Sequence, residues 1–271
     1  MKLSIITINY NNKAGLQKTI DSVICQTWTD YEWIVIDGGS TDGSKELIEQ
    51  YQDHFAYWCS EPDKGVYNAM NKGVFHAHGE YVNFMNSGDV FHSSHVLASI
   101  FAKKLSADIL IGQVKCMGEN LIVNQFNHNL AGVNWKRVNE GFCHQGTFSK
   151  IGLLKAHPFD EKMKIASDWK FWCQTIVFDN CSVQNLELIV ADYDMTGISS
   201  KVQNSSLQSE EREQTMRSLF PPLIIKELQD YQSLRNSPCV YNLDYLDRNN
   251  HGVFVVLRKV ISFIYKVLSK N

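Results

Sequence analysis

The chain has 271 residues, 44% of them hydrophobic and 11% aromatic, which is enough for one main domain with a sizeable core plus an extension. Its formal net charge of −3 gives no overall basic field, so charge argues against a nucleic-acid partner and any anionic ligand must be held locally. Seven cysteines (Cys25, Cys59, Cys116, Cys143, Cys173, Cys181, Cys239) are odd in number and lack a C-x-x-C pair, which fits neither a disulfide framework nor a zinc site and points to a reducing compartment.

The opening "MKLSIITINYNN" is too short and too polar an apolar run for a signal peptide, so a cytoplasmic protein is expected. Leu3 to Ile8 is continuous and β-branched, the pattern of a strand buried on both faces. Leu16, Ile20, Val23 and Ile24 then recur on one helical face, and "EWIVID" (32 to 37) is a second buried strand. It ends on Asp37 and the glycine pair of "DGGSTDGS"; a turn-and-cap reading explains Ser40 to Gly43, while Asp37 could equally face a ligand. Ser44 is placed to cap a helix carrying Leu47, Ile48 and Tyr51. A third helix, 65 to 77, follows Asp63, Lys64 and Gly65, which suit either phosphate binding or a solvated helix start. It leads to the strand "EYVNFM" and the turn "NSGD", where Asp89 is either a turn residue or a ligand for a hard cation. Three buried strands alternating with helices predict a parallel α/β sheet, with "DGGSTDG" and "NSGD" at the carboxyl edge where such sheets bind ligands.

The second half reads as mixed: a helix near 93 to 105, strands at 108 to 112 and 121 to 126, the segment "GFCHQGTFS", and a helix from Asp168 to Phe178. Asp168 by itself is a charge favoured at a helix N-terminus, His144 a lone histidine beside apolar residues, and Trp169 a core aromatic or a sugar-stacking one. Residues 199 to 215 are almost without apolar side chains, as in a mobile loop grading into an exposed helix. From about 253 to 270, Arg258, Lys259, Ser262, Lys266, Ser269 and Lys270 share one side of a helix whose remainder is apolar. Its charges argue against a transmembrane span; a basic amphipathic helix on an anionic membrane surface is preferred to one packed on protein.

Taken together, "LSIITINYNN", "QTWTDYEWIVIDGGSTDGS", "DKGVYNAMNKG" and "GEYVNFMNSGDVF" resemble the nucleotide-binding half of the family 2 glycosyltransferases, which invert and have the GT-A fold. The likeness is strong over residues 1 to 100, looser over 140 to 200, and nearest to members that build bacterial capsule, exopolysaccharide or O-antigen units. It implies nucleotide binding by Thr7, Asn9, Tyr10, Asp37, Gly38, Lys64, Asn71, Asn86 and Ser87. The family often has two aspartates after the second strand; here Asp37 keeps the first and Gly38 replaces the second. The family's metal motif reads Asn86, Ser87, Gly88, Asp89 here, leaving Asp89 to hold Mn²⁺ or Mg²⁺ and Asn86 as a neutral oxygen donor. "KIASDWKFW" resembles the motif whose final aspartate is the base, here Asp168; His144, Gln145 and Trp169 fall on the acceptor side. "MTGISS" (195 to 200) is a loop over the donor or an exposed linker.

The resemblance thus implies an α/β GT-A domain over 1–220, with a Rossmann-like nucleotide-sugar half at 1–110 and a mixed acceptor half at 111–200. A helical tail over 221–271 follows. The implied partners are a nucleotide-diphosphate sugar, most simply UDP-linked, a glycan or lipid-linked glycan acceptor, and the inner face of the cell membrane; self-association into a homo-oligomer stays open. A non-catalytic sugar-nucleotide-binding or scaffold member of the fold, and a sugar nucleotidyltransferase, are the rival readings.

Overall fold

The structure is a computed structural model and describes residues 1–117, 121–123, 135–195, 197, 204–237, 242, 247 and 250–268. The chain divides into two compact units, Met1–Glu213 and Gln214–Asn271.

In the first unit, β1 (Leu3–Asn9) is buried at all seven positions, as its unbroken apolar run requires. It pairs in parallel with β2 (Tyr31–Asp37) on one side and β4 (Tyr81–Phe84) on the other, and β2 pairs in parallel with β3 (Tyr57–Ser60). The register sets Asn9 against Asp37 and Asp37 against Ser60, so three polar strand ends meet at one edge. Beyond β4 the sheet becomes mixed: β8 (Thr147–Lys150) runs antiparallel to β4 and to β6 (Ile109–Cys116), and β9 (Val183–Tyr193) runs parallel to β6. The strand order is β3-β2-β1-β4-β8-β6-β9-β5, with β5 (Val90–Phe91) on β9 and β7 (Ile122–Val123) on β6. The architecture is the α/β sheet with a mixed second half expected from sequence.

Helix α1 (Lys13–Ile24) buries Leu16, Ile20 and Val23, three of the four residues of its periodic face, while Ile24 at its end is 36% exposed. Helix α2 (Ser44–Gln50) starts differently from expectation. Its cap is Gly43 at φ +89°, and Ser44 is held by Asp42, whose Oδ1 accepts from the Ser44 amide and hydroxyl. Helix α3 (Val66–His76) lies close on β1 because Gly73 has no side chain: a Cβ there would stand 2.4 Å from Ile6 Cγ2. That approach fixes where the helix begins, next to the carboxyl ends of the strands.

Helix α4 (Val96–Phe101) is shorter than the stretch read near 93 to 105, and α5 (Trp135–Glu140) and α6 (Ile151–Ala156) are single short turns of six residues each. Helix α7 (Ser167–Trp172) continues into a π-helical turn (Cys173–Phe178), which together cover the helix read from 168 to 178. The exposed helix expected near 199 to 215 is met in part, with residues 205, 206, 209, 210, 213 and 214 exposed. Helix α8 (Ser205–Leu219) includes Glu211 and Thr215 at 6% and 3% exposure, and the Glu211 carboxylate is used inside the protein; residues 198–203 lie outside the described set. Among the described cysteines, all six are free.

Helix α8 runs across the division between the units. The second unit also contains α9 (Pro222–Asn236) and α10 (His251–Leu268). Along α10, Val256 and Phe263 are 61% and 68% exposed, and Arg258 and Lys259 are exposed too; Ser269 and Lys270 lie outside the described residues. Among the described residues no helix is long and apolar enough to cross a membrane.

Candidate active site

A cavity of about 1180 Å³ opens at the carboxyl edge of the sheet, entirely within the first unit. Of the residues singled out from sequence, Asn9, Tyr10, Gly38, Asn86, Ser87, Asp89, His144, Gln145, Asp168 and Trp169 line it. Thr7, Asp37, Lys64 and Asn71 do not. Thr7 is fully buried, accepting from the Trp33 indole N–H (3.0 Å) and donating to the Met85 carbonyl (2.8 Å), so it holds β1 to its neighbours. Lys64 is exposed. Asn71 clamps a distant loop, donating to the Phe159 carbonyl at 2.8 Å and accepting from the Phe159 amide at 3.0 Å.

Asp37 is engaged by the turn that follows it. Its carboxylate accepts from Asn9 Nδ2 (2.7 Å), the Ser40 amide (2.9 Å), the Ser40 hydroxyl (2.6 Å) and the Ser60 hydroxyl (2.6 Å). Burial alone would raise its pKa, but these donors, Ser40 and Ser60 foremost, hold it below the ordinary carboxylate value. The charge is therefore spent on fixing the loop after β2.

Asp89 is 4% exposed and sits between protein donors: the Asp194 amide reaches Oδ1 at 2.9 Å and Gln145 Nε2 reaches Oδ2 at 2.9 Å. Burial pushes its pKa up to about 6, against the pull of nearby His144 and of these two hydrogen bonds. Beside Asp89, Gly88 adopts φ +107°, and a Cβ there would lie 2.8 Å from Asp194 Oδ2, so a second carboxylate fills the space at position 88.

His144 joins this corner to Asp168. Its Nε2 is 2.9 Å from Asn86 Nδ2, and its Nδ1 is 3.6 Å from Asp168 Oδ2. With the Asn86 amide donating to Nε2, the ring proton resides on Nδ1, facing Asp168. Asn86 Oδ1 is then buried without a hydrogen-bond donor. Asp168 lies in the first turn of α7, where Oδ1 accepts from the Trp169 amide (2.7 Å) and the Tyr67 hydroxyl (3.3 Å). Burial and the adjacent Asp168 raise the Tyr67 pKa well above its ordinary value, so Tyr67 is a fixed O–H donor.

Several contributors were not legible beforehand. Glu211, from α8, accepts from three successive amides ahead of α7: Lys164 (2.7 Å), Ile165 (3.0 Å) and Ala166 (2.9 Å). Its neighbour Arg212 lies over the Trp169 ring at 5.1 Å and donates to the Asn139 carbonyl at 3.0 Å. Trp169 in turn is 1% exposed and donates to the Val138 carbonyl, which makes it a wall of the site. Tyr67, buried in the first turn of α3, was not among the residues singled out from sequence. Of 195 to 200, residues 196 and 198–200 lie outside the described set.

Comparison with known proteins gives the family and the fold. The model of Glycosyl transferase family 2 matches residues 4–148, just over half of the 271-residue chain. An uncharacterized glycosyltransferase of Mycobacterium tuberculosis, Rv1514c, is 32% identical over 217 residues, covering 76% of this chain and 79% of that one. A PGL/p-HBAD biosynthesis glycosyltransferase of Mycobacterium bovis is 26% identical, over 72% and 77% of the two chains. The chain belongs to glycosyl transferase family 2 and is a glycosyltransferase. Its fold is the GT-A fold of solved relatives. Staphylococcus aureus TarS 1-349, in complex with UDP-GlcNAc, superimposes with TM-score 0.60 and 21% identity over 72% of this chain and 58% of that one. The mannosyltransferase PcManGT from Pyrobaculum calidifontis, with GDP-Man and Mn²⁺, gives TM-score 0.61 and 15% identity over 97% and 80%.

Proposed function

We propose that the protein transfers a sugar, with inversion, from a UDP-sugar to a hydroxyl of a glycan or lipid-linked glycan in bacterial surface polysaccharide synthesis. The observation that carries this is the contact chain Asp89–Gln145/His144–Asp168, which ties a buried acidic corner at the strand ends to a carboxylate across the same cavity. A TarS structure holds UDP-GlcNAc on the same fold, which supports a nucleotide-sugar donor.

The donor set suits a hard divalent cation. Asp89 and Asp194 offer carboxylates and Asn86 an oxygen lacking a donor, while among the described residues no group of three or more His, Cys, Asp or Glu forms a closed cage. Two carboxylates leave coordination positions for diphosphate oxygens and water, as Mg²⁺ or Mn²⁺ requires at a nucleotide site. The cation, when bound, offsets the charge that grows on the departing diphosphate.

The chain's own residues supply the rest. The acceptor hydroxyl gives its proton to Asp168 Oδ2, the carboxylate oxygen not held by Trp169 and Tyr67, as its oxygen bonds to the anomeric carbon. On the opposite face the anomeric carbon–oxygen bond to diphosphate breaks, so configuration inverts. Tyr67 and the Trp169 amide fix the carboxylate, and His144 Nδ1–H keeps Oδ2 turned to the cavity. The second unit, with α10, docks on anionic lipid and brings the site to a lipid-linked acceptor.

The test is to incubate the protein with a panel of UDP-sugars and lipid-linked acceptors, following UDP release and the product's anomeric configuration by NMR. Acceptor-dependent UDP release with inversion supports the reading. Tight UDP-sugar binding without turnover on any acceptor favours the scaffold reading, and pyrophosphate exchange favours a nucleotidyltransferase.

A further inference from the structure

Gly38 and Asp63 come from different strand ends and share one place. A Cβ on Gly38 would lie 2.6 Å from Asp63 Oδ2 and 3.2 Å from Tyr10 Cδ2. The Gly38 backbone is outside the left-handed region, so its conformation would accept a side chain; the room is taken by the Asp63 carboxylate. That carboxylate is set in position. The Gly65 amide donates to Oδ1 at 2.8 Å, and the segment before it is pinned where the Glu61 amide meets the Asp37 carbonyl at 3.0 Å. Among the described residues Asp63 Oδ2 accepts no hydrogen bond. Gly38, Asp63, Pro62 and Tyr10 all line the cavity, and the Tyr10 ring is 66% exposed. A flat exposed ring beside an anchored carboxylate is a stacking platform next to a hydrogen-bond acceptor.

We propose that Asp63 supplies the carboxylate absent at position 38 and accepts the ring N–H of the donor's nucleobase, a uracil stacked on Tyr10. This rests on the nucleotide-sugar reading above and adds the residue that selects the base. Uracil presents one N3–H donor between two carbonyls, which needs one carboxylate oxygen. Cytosine turns a bare N3 lone pair to the same oxygen, and adenine does so at N1, so both are repelled. Guanine presents N1–H and its amino group side by side and asks for both carboxylate oxygens. Oδ1 already accepts from the Gly65 amide while Oδ2 accepts from no described group, so the less engaged single oxygen favours uracil.

The experiment is calorimetric titration of the full chain, with Mn²⁺ present, using UDP, CDP, GDP and N3-methyl-UDP. Wild type is compared with Asp63→Ala, Asp63→Asn, and the double variant Gly38→Asp with Asp63→Ala. Thermal midpoints equal to wild type guard against a folding defect imitating lost binding. Blocking N3 is expected to weaken binding to wild type by about tenfold or more, one to two hydrogen bonds' worth, and to change binding to Asp63→Ala by less than about twofold. Asp63→Asn, which can donate as well as accept, should narrow the UDP-to-CDP preference about tenfold. The double variant should recover most of the UDP affinity lost in Asp63→Ala. An equal N3-methyl penalty in wild type and Asp63→Ala would overturn the assignment, as would wild-type preference for GDP over UDP. Wild-type protein that binds none of the four nucleotides contradicts the donor reading itself and the base contact with it.

Discussion

Asp168 and Asp37 are both strand- or helix-end carboxylates, and their surroundings give them opposite uses. Asp168 lines the cavity with Oδ2 outside the Trp169 and Tyr67 hydrogen bonds, whereas every lone-pair direction of Asp37 is met by a donor. Asp168→Asn is therefore expected to lower kcat by about 10²–10⁴-fold while leaving UDP affinity unchanged, measured by UDP release and by titration. Asp37→Asn should cost about 2–3 kcal/mol in urea unfolding, since it replaces charge-assisted bonds and turns an amide against a donor. Because the folded pKa of Asp37 is depressed, its stabilisation is present above the unfolded value near pH 3.8 and is lost as pH falls toward the folded one. The Asn variant should accordingly lose less stability than wild type as pH falls below about 4. Sequence alone left Asp37 between turn and ligand, because a carboxylate at a strand end looks the same whether its donors are Ser40 and Ser60 or a bound molecule. Ser60 lies 23 residues away, and only the parallel pairing of β2 with β3 brings it there.

At the scale of elements, those marked by their apolar residues were legible: β1, β2 and β4 by short apolar runs, α1 and α3 by helical spacing. Strands β3 and β9 were not. The first, "YWCS", is half-buried throughout, and the second, "VQNLELIVADY", mixes polar and apolar residues and carries Glu187 at φ +52° with register shifts against β6. Helix α8 misled for a related reason. Its buried carboxylate acts on backbone amides, which leave no trace in hydrophobic periodicity. Glu211→Gln is expected to destabilise the protein by about 1–3 kcal/mol, because one amide N–H would then face an NH₂ group. It should also lower kcat while the KM for donor stays constant, since the loosened segment leads into Asp168 and not into the nucleotide corner. Equal loss in both parameters would assign Glu211 to general folding alone.

The molecule as a whole joins a transferase unit to a second, helical unit whose last helix exposes apolar side chains beside Arg258 and Lys259. On the proposed reading this helix binds anionic lipid by apolar insertion and by about 1 kcal/mol per basic residue near the surface. Arg258→Glu with Lys259→Glu, in the full chain, should abolish cosedimentation with vesicles containing phosphatidylglycerol and leave UDP release on a water-soluble acceptor intact. Cosedimentation unchanged by charge reversal or by high salt would contradict the electrostatic part of that attachment. The central claim concerns the buried corner around Asp89, where the family's acidic motif is thinned to one residue and Asp194 fills the space over Gly88. Titration of UDP into wild type and Asp89→Ala, with and without Mn²⁺, addresses it most directly. Binding that needs the metal and disappears with the Asp89 carboxylate is the expected result; metal-independent binding, unchanged in Asp89→Ala, would contradict it.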